Sequence, residues 1–216
     1  MFDYKKASKT QQILAKKLNL NWEGKKVNTI AGADCSYETK NKRVGASVVV
    51  CRFPELKVID KSEAVTEVFV PYVPGFLTFR EAPAFLKAFR KLKGKPDVTL
   101  VDGNGIAHPR KMGIASYIGV VLGIPTIGCT KSPFYPFQAP DPKRGAYTYY
   151  MNRARQSVGY CLRTQTGIKP IFVSPGHQIN SEKSREIVLK CSKFRIPEPI
   201  RYAHKQATDI FRKGEM

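Results

Sequence analysis

The 216 residues carry 37 Lys plus Arg against 17 Asp plus Glu, a formal charge of +20, with 42% apolar and 11% aromatic residues. This is the composition of a globular protein with a real core, and its charge points to a polyanion, most often nucleic acid. No apolar run reaches membrane-spanning length, the start lacks the apolar centre of a signal peptide, and the five scattered cysteines form neither CxxC nor a disulfide framework, so a cytoplasmic protein with no membrane partner is expected. Tyr4 to Leu18 has helical periodicity, with Ile13, Leu14 and Leu18 on one face and lysines on the other. A polar connection, Asn19 to Asn28, leads to three strand-like runs, Thr29 to Ser36, Val44 to Phe53 and Lys57 to Thr66, separated by turns as in an antiparallel meander. A short run, Glu67 to Val70, enters Pro71-Tyr72-Val73-Pro74-Gly75. A helix follows to about Lys93, with Phe85, Leu86 and Phe89 apolar.

Pro96 to Asp102 reads as a buried strand, Lys111 to Leu122 as a helix and Pro125 to Cys129 as a strand. Residues 133 to 156 lack periodicity and are rich in Pro, Tyr and Arg, which suggests a long surface excursion. Ser157 to Arg163 and Lys169 to Val173 form a strand pair, Ser174-Pro175-Gly176-His177 a turn, and Ser181 to Ser192 and Pro199 to Lys213 two closing helices. A meander followed by strands alternating with helices predicts a single α/β domain over 1–216, a mixed sheet flanked by helices.

Three acids sit in unusual places. Asp34 lies inside the first strand, where aspartate is depleted and a buried lone carboxylate is costly. Asp102 ends a buried strand before a Gly-rich loop, which suits either a tight turn or a site where substrate approaches the backbone. Glu81 has a capping-box partner in Thr78, but Pro83 would then fall inside the helix at a cost of about 3 kcal/mol. The helix is therefore predicted to start near Ala82 or Pro83, with Glu81 at its mouth. If the strands of Asp34 and Asp102 are neighbours, two carboxylates meet near one edge of the sheet and Glu81 reaches in from a helix start. Oxygen donors without Cys or His spacing suit Mg²⁺, with Mn²⁺ as a substitute. A hard-metal site on a basic protein suggests a nuclease.

The motifs Gly32-Ala33-Asp34-x-Ser36-Tyr37, Pro71-Tyr72-Val73-Pro74-Gly75-Phe76-Leu77-x-Phe79-Arg80-Glu81 and Val101-Asp102-Gly103-Asn104-Gly105-x-x-His108-Pro109-Arg110 follow one another in order. With Gly128-x-x-Lys131-Ser132, Ser174-Pro175-Gly176-His177 and Arg195-Ile196-Pro197-Glu198-Pro199-x-Arg201-x-Ala203-His204, they resemble endonuclease V from about residue 29 to 212. The resemblance implies an RNase H-like fold with a core sheet of five-stranded type. It implies Mg²⁺-dependent hydrolysis of the second phosphodiester bond 3′ to a deaminated purine, chiefly hypoxanthine, leaving 3′-hydroxyl and 5′-phosphate ends. Metal ligation and catalysis would map onto Asp34, Asp102 and Glu81. Lys131 would lie near the scissile phosphate, and His204 would match a fourth active-site position where some relatives carry aspartate.

The same stretch gives Pro71, Tyr72, Val73 and Pro74 as a wedge that enters the base stack, against the plain reading of a stiff loop with an exposed tyrosine. Gly75, Leu77, Gly103 and Gly105 would then line a pocket whose backbone N–H groups touch hypoxanthine O6, an acceptor where adenine offers a donor. His108, Arg110 and Lys111 read as phosphate contacts, and His177 as a structural residue holding a turn. Tyr135, Phe137, Tyr147, Tyr149 and Tyr150 interleave with Lys143, Arg144, Arg153 and Arg155, which suits either strand binding or a loop packing its own aromatics. The expected partner is deoxyinosine-containing DNA, bound by a monomer. An inosine-directed ribonuclease and a noncatalytic nucleic-acid binder are the competing functions.

Overall fold

In the computed structural model, which describes residues 2–212, one sheet of eight strands carries the molecule. In chain order the elements are α1 (Tyr4–Ala15), β1 (Thr29–Glu38), β2 (Arg43–Arg52), β3 (Val58–Glu67), α2 (Leu77–Phe89), β4 (Val98–Asp102) and α3 (Ile114–Leu122). There follow β5 (Thr126–Thr130), β6 (Tyr147–Met151), β7 (Ser157–Leu162), β8 (Ile171–His177), α4 (Ser181–Lys190) and α5 (Glu198–Arg212). The expected end of the last helix at Lys213 lies outside the described residues. No helix of the described residues is long and apolar enough to cross a membrane.

The strand order is β3-β2-β1-β4-β5-β8-β7-β6. The expected meander forms the first edge, with β1–β2 and β2–β3 antiparallel. β1, β4 and β5 run parallel. β8, β7 and β6 continue the sheet as antiparallel strands, so it is wider than the five-stranded core expected.

Alternation along the strands divides the core in two. Ile30 and Leu100 point into a cluster with Ile187, Ile200 and Ala203 of α4 and α5. Ala31 and Val101 point the other way, against Phe85 of α2 and Ile114 and Ile118 of α3. By the same parity, Asp34 and Asp102 belong to the α5 face.

Four expectations are corrected. α2 starts at Leu77, so Glu81 lies within the helix and Pro83 is an interior proline. The helix continues through it because Phe85 and Phe89 behind it are buried, each worth about 2–3 kcal/mol, enough to offset the lost bond. The N-cap is Phe76, without a side-chain cap, so Thr78 and Glu81 make no capping box. Ser174 to His177 is no turn: it continues β8, with Ser174 opposite Gly128 and Pro175 opposite Ile127 beside a register shift. Finally, α3 begins at Ile114 rather than Lys111, leaving 103–113 as a loop, and the 133–156 segment contains the edge strand β6. Tyr150 of β6 is fully buried, and its hydroxyl accepts the N–H groups of Phe134 and Tyr135 at 2.6 and 2.7 Å.

Candidate active site

β1 and β4 pair in parallel up to Ala33 opposite Val101. Asp34 and Asp102 are the next residue on each strand, on the same face by the strand period of two. The sequence condition for a shared site is met by this register. α5 crosses that face because Gly32 has no side chain: a Cβ there would stand 1.9 Å from the Pro199 carbonyl oxygen. The Ser36 hydroxyl donates to the Ala207 carbonyl and ties the helix further along. His204 is thereby brought to Asp34, with Nδ1 2.7 Å from Oδ2. The other carboxylate oxygen of Asp34 accepts the Cys35 N–H at 2.7 Å.

Glu81 approaches from α2. Its carboxylate accepts the Tyr37 hydroxyl at 2.5 Å, and the Arg80 guanidinium lies 4.7 Å from the Tyr37 ring centre. Burial, and then the neighbouring Asp34 and Asp102, push Glu81 up to about 7 against the pull of the Tyr37 bond. Burial and Asp34 push Asp102 up to about 6, with Lys131 and His204 pulling down. Burial raises Asp34 too, opposed by the His204 and Cys35 bonds. The Asp102 carboxylate accepts no protein hydrogen bond among the described residues. The site is thus short of positive charge.

Asp34, Glu81 and Asp102 all line one cleft of about 380 Å³, with Tyr72, Pro74, Gly75, Leu77 and Gly103. The cleft thus brings the three acids together with Tyr72 and Pro74 of the 71–74 loop and with Gly75, Leu77 and Gly103, whereas Pro71, Val73 and Gly105 do not line it; Tyr72 is 68% exposed. Asp102 also borders a second cleft of about 530 Å³, lined by Lys131, Arg195, Arg201, His204 and Lys205. Lys131 and His204 thus share the second cleft with Asp102, whereas Tyr72 lines the first.

Gly105 does not line the cleft. It packs where a Cβ would lie 2.2 Å from the Pro175 carbonyl oxygen, and its N–H is spent on Ser174 Oγ at 2.8 Å. Gly103, at φ +146°, borders the cleft, but its N–H bonds the Cys129 carbonyl at 3.0 Å. Neither glycine offers an N–H to a base. Among the described residues the cleft-wall N–H groups without a protein partner include those of Leu77 and Thr78, in the first turn of α2, along with those of Tyr72, Gly75 and Asn104.

His108 and Arg110 are also placed differently from the expectation. His108 is buried, with Nε2 3.1 Å from the Gly75 carbonyl oxygen and Nδ1 accepting the Arg110 N–H at 3.2 Å. The ring is thus a neutral Nε2–H tautomer, and burial followed by the Arg110 charge pushes its pKa down to about 4. Arg110 donates to the same carbonyl at 2.7 Å and to Gln11 Oε1 at 2.6 Å, and stacks 4.4 Å from the Phe76 ring centre. Both side chains bond the Gly75 carbonyl, at the end of the 71–75 loop. Lys111, exposed at φ +53°, is the member of the trio that faces solvent.

Gln11 is the residue that sequence reasoning missed. Fully buried on α1, it donates to the carbonyls of Gly75 and Met112 at 3.1 and 3.2 Å. An internal glutamine among lysines in an amphipathic helix carries no signal of such a role. Tyr37 was inside a quoted motif, yet its partner Glu81 is visible only in the fold. His177 is structural, its Nδ1 accepting the Asn19 N–H at 3.3 Å from within β8.

The endonuclease V family model matches residues 12–205. The chain belongs to the endonuclease V family. Endonuclease V of Dictyoglomus turgidum is 43% identical over 203 residues, 93% of this chain and 88% of that protein. The crystal structure of Streptomyces avermitilis endonuclease V superposes with TM-score 0.95 at 35% identity, covering 100% of this chain and 96% of that one. Ciona intestinalis endonuclease V, crystallised with DNA containing an inosine followed by a ribo-adenosine, superposes with TM-score 0.85 at 29% identity over 97% and 98% of the two chains. A. aeolicus Argonaute, at 16% identity and TM-score 0.50 over 84% of this chain, shares the fold alone. The expected RNase H-like fold is the observed one.

Proposed function

We propose that this member of the endonuclease V family is a DNA repair endonuclease directed at deaminated purines, chiefly hypoxanthine, which hydrolyses the second phosphodiester bond 3′ to the lesion. The observation that carries the reading is the position of Asp102 and its neighbours. Asp102 borders both a cleft walled by Tyr72 and the start of α2, which Asp34 and Glu81 also line, and a basic cleft walled by Lys131, Arg195 and Arg201. A base held in the first cleft leaves the strand beyond it to cross the carboxylates into the second.

Selectivity follows from the Leu77 and Thr78 N–H groups. Hypoxanthine presents an acceptor at O6, whereas adenine presents an amine that would leave two donors facing a donor. Tyr72, held between Pro71 and Pro74, is suited to fill the stack the base has left. Gln11, His108 and Arg110 hold the Gly75 carbonyl and with it the root of that loop.

A divalent cation fits the donor set. Asp34 and Asp102 are adjacent hard-oxygen donors, Asp102 has no protein donor of its own, and the cluster is short of positive charge. Among the described residues no three ligating side chains converge on one point. That arrangement suits Mg²⁺, which keeps several waters and takes one or two carboxylates. When bound, such an ion would lower the pKa of a water and neutralise charge on the phosphoryl oxygens. Asp34 and Asp102 would hold it, His204 orients Asp34, Tyr37 holds Glu81 at the cluster, and Lys131 is placed to stabilise negative charge on the phosphate.

An inosine-directed ribonuclease is the second reading. The mixed strand bound by the Ciona relative, with a ribo-adenosine after the inosine, keeps the sugar of the following nucleotide in question. Competition between matched DNA and RNA strands, each with one inosine, tests the choice. Faster cleavage of DNA supports the repair reading, and faster cleavage of RNA replaces it.

A further inference from the structure

A third cavity, of about 360 Å³, is lined by Pro109, Phe134, Tyr135, Asn152, Arg153 and Ala154. Phe134 is shared with the cleft that holds Tyr72 and the three acids, just as Asp102 is shared between that cleft and the basic one. The three cavities therefore form a chain, joined at Asp102 on one side and at Phe134 on the other.

Both walls of the third cavity are built rigidly. On one side, Phe134 and Tyr135 hang from the buried Tyr150 hydroxyl by their N–H groups, and the Phe134 ring packs 5.6 Å from both His108 and Tyr135. On the other, the turn between β6 and β7 is closed around Asn152. Its Oδ1 accepts the N–H groups of Ala154 and Gln156 at 3.0 Å, and its own N–H bonds the Gln156 carbonyl at 2.9 Å. Arg153 projects from this turn, exposed, close enough for its charge to act on the Tyr135 hydroxyl. Among the described residues its guanidinium has neither a carboxylate partner nor a hydrogen bond. The Phe134 ring, 37% exposed, lines one cavity with an uncommitted guanidinium, a pairing that suits a nucleotide, one for the base and one for the phosphate.

We infer that this cavity is a subsite for the nucleotides on the 5′ side of the lesion. The polarity rests on the proposed reading. A bond cut 3′ to the lesion lies at the acids, so the 3′ strand leaves through the basic cleft beyond Asp102, and the opposite cavity receives the 5′ strand. The sequence excursion at 133–156 then serves substrate through its hairpin tip and Phe134, while Tyr135 and Tyr150 serve as its internal packing.

The test is cleavage of single strands carrying one inosine, a constant 3′ flank and 5′ flanks of increasing length. For the wild type, kcat/KM rises about tenfold as the first 5′ nucleotides are added, the yield of one stacked base and a phosphate contact. Arg153→Gln cleaves the unflanked strand as the wild type does but loses most of that rise, and Arg153→Lys recovers part of it. Ala154→Glu, which sets a carboxylate in the cavity, loses it as well. A series lengthened on the 3′ side separates the variants from the wild type by less than twofold. A wild type indifferent to the 5′ flank, or a rise that survives both Arg153→Gln and Ala154→Glu, overturns the subsite. A wild type that cuts normal strands as fast as inosine strands overturns the lesion reading, and the 5′ polarity with it.

Discussion

His204 Nδ1 lies 2.7 Å from Asp34 Oδ2, across 170 residues of chain. The contact joins the last helix to β1 and leaves the Asp34 carboxylate held by one side-chain donor and one backbone donor. Removing the imidazole frees the carboxylate to rotate without removing its charge. His204→Ala is expected to lower kcat about tenfold to a hundredfold, the usual cost of losing a group that orients a metal-ligating side chain. His204→Asn, whose amide can still donate, should retain more activity than His204→Ala. Equal loss in both would show that the donated hydrogen bond is not what His204 supplies.

The same contact depends on Gly32. A methyl group there meets the Pro199 carbonyl, so Gly32→Ala must push α5 off β1. The expected cost is about 3 kcal/mol, the upper end for overpacking, with a matching fall in Tm and a loss of activity as large as that of His204→Ala. Thermal melting and cleavage rate measured on one preparation check both.

The acid cluster gives a pH signature. Glu81 is raised to about 7 and Asp102 to about 6, so the folded protein holds protons that the unfolded chain releases near pH 4. For a carboxyl raised on folding, stability is greatest at low pH and is lost as pH rises toward the folded value. His108 has the opposite sign: depressed to about 4, it contributes fully above pH 6.5 and loses that contribution as pH falls below it. Between pH 6.5 and 7.5, above the range of His108 and below that in which the buried cysteines begin to count, the acids dominate. Without divalent cation, Tm should fall across this window, and Glu81→Gln should flatten the fall. Added Mg²⁺ should raise Tm most at pH 8.5, where the carboxylates are ionised. A Tm that is flat without metal and unmoved by it would remove the charge-poor cluster from the account.

Tyr72→Ala should weaken discrimination between inosine and normal strands more than it weakens general binding, because the ring is exposed and packs little protein. Gln11→Leu should act on the same property from behind the loop. It deprives Gly75 and Met112 of a buried donor and Arg110 of its acceptor, at about 2 kcal/mol, and lets the root of the wedge move. Tight binding with unchanged discrimination in both variants would separate the loop from lesion choice.

Much of the site was readable from residue types. Aspartate in an apolar strand and aspartate at the mouth of a glycine loop each announced a carboxylate held by a sheet, and only their adjacency awaited the register. The start of α2 was hidden because Pro83 argues locally against a helix that distant packing of Phe85 and Phe89 maintains. β8 was shortened because Pro175-Gly176 resembles a turn, whereas the Pro175 carbonyl accepts the Ile106 N–H and holds the Asp102 loop. β6 was missed because an edge strand with one fully buried residue, Tyr150, carries no alternation to detect. For Gly105, His108 and Arg110 the sequence did not show the bonds they make within the protein. Sequence shows which polar groups are near the site, while only the fold shows which are already bonded.

The most direct measurement is the position of the cut on an end-labelled DNA strand with a single inosine, for wild type and Asp102→Asn, with Mg²⁺ and with chelator. The account predicts one metal-dependent product ending in a 3′-hydroxyl at the second bond 3′ to the inosine, no product with chelator, and binding without cleavage by Asp102→Asn. Cleavage by Asp102→Asn at the wild-type rate, or a wild-type cut that ignores the inosine, would contradict it.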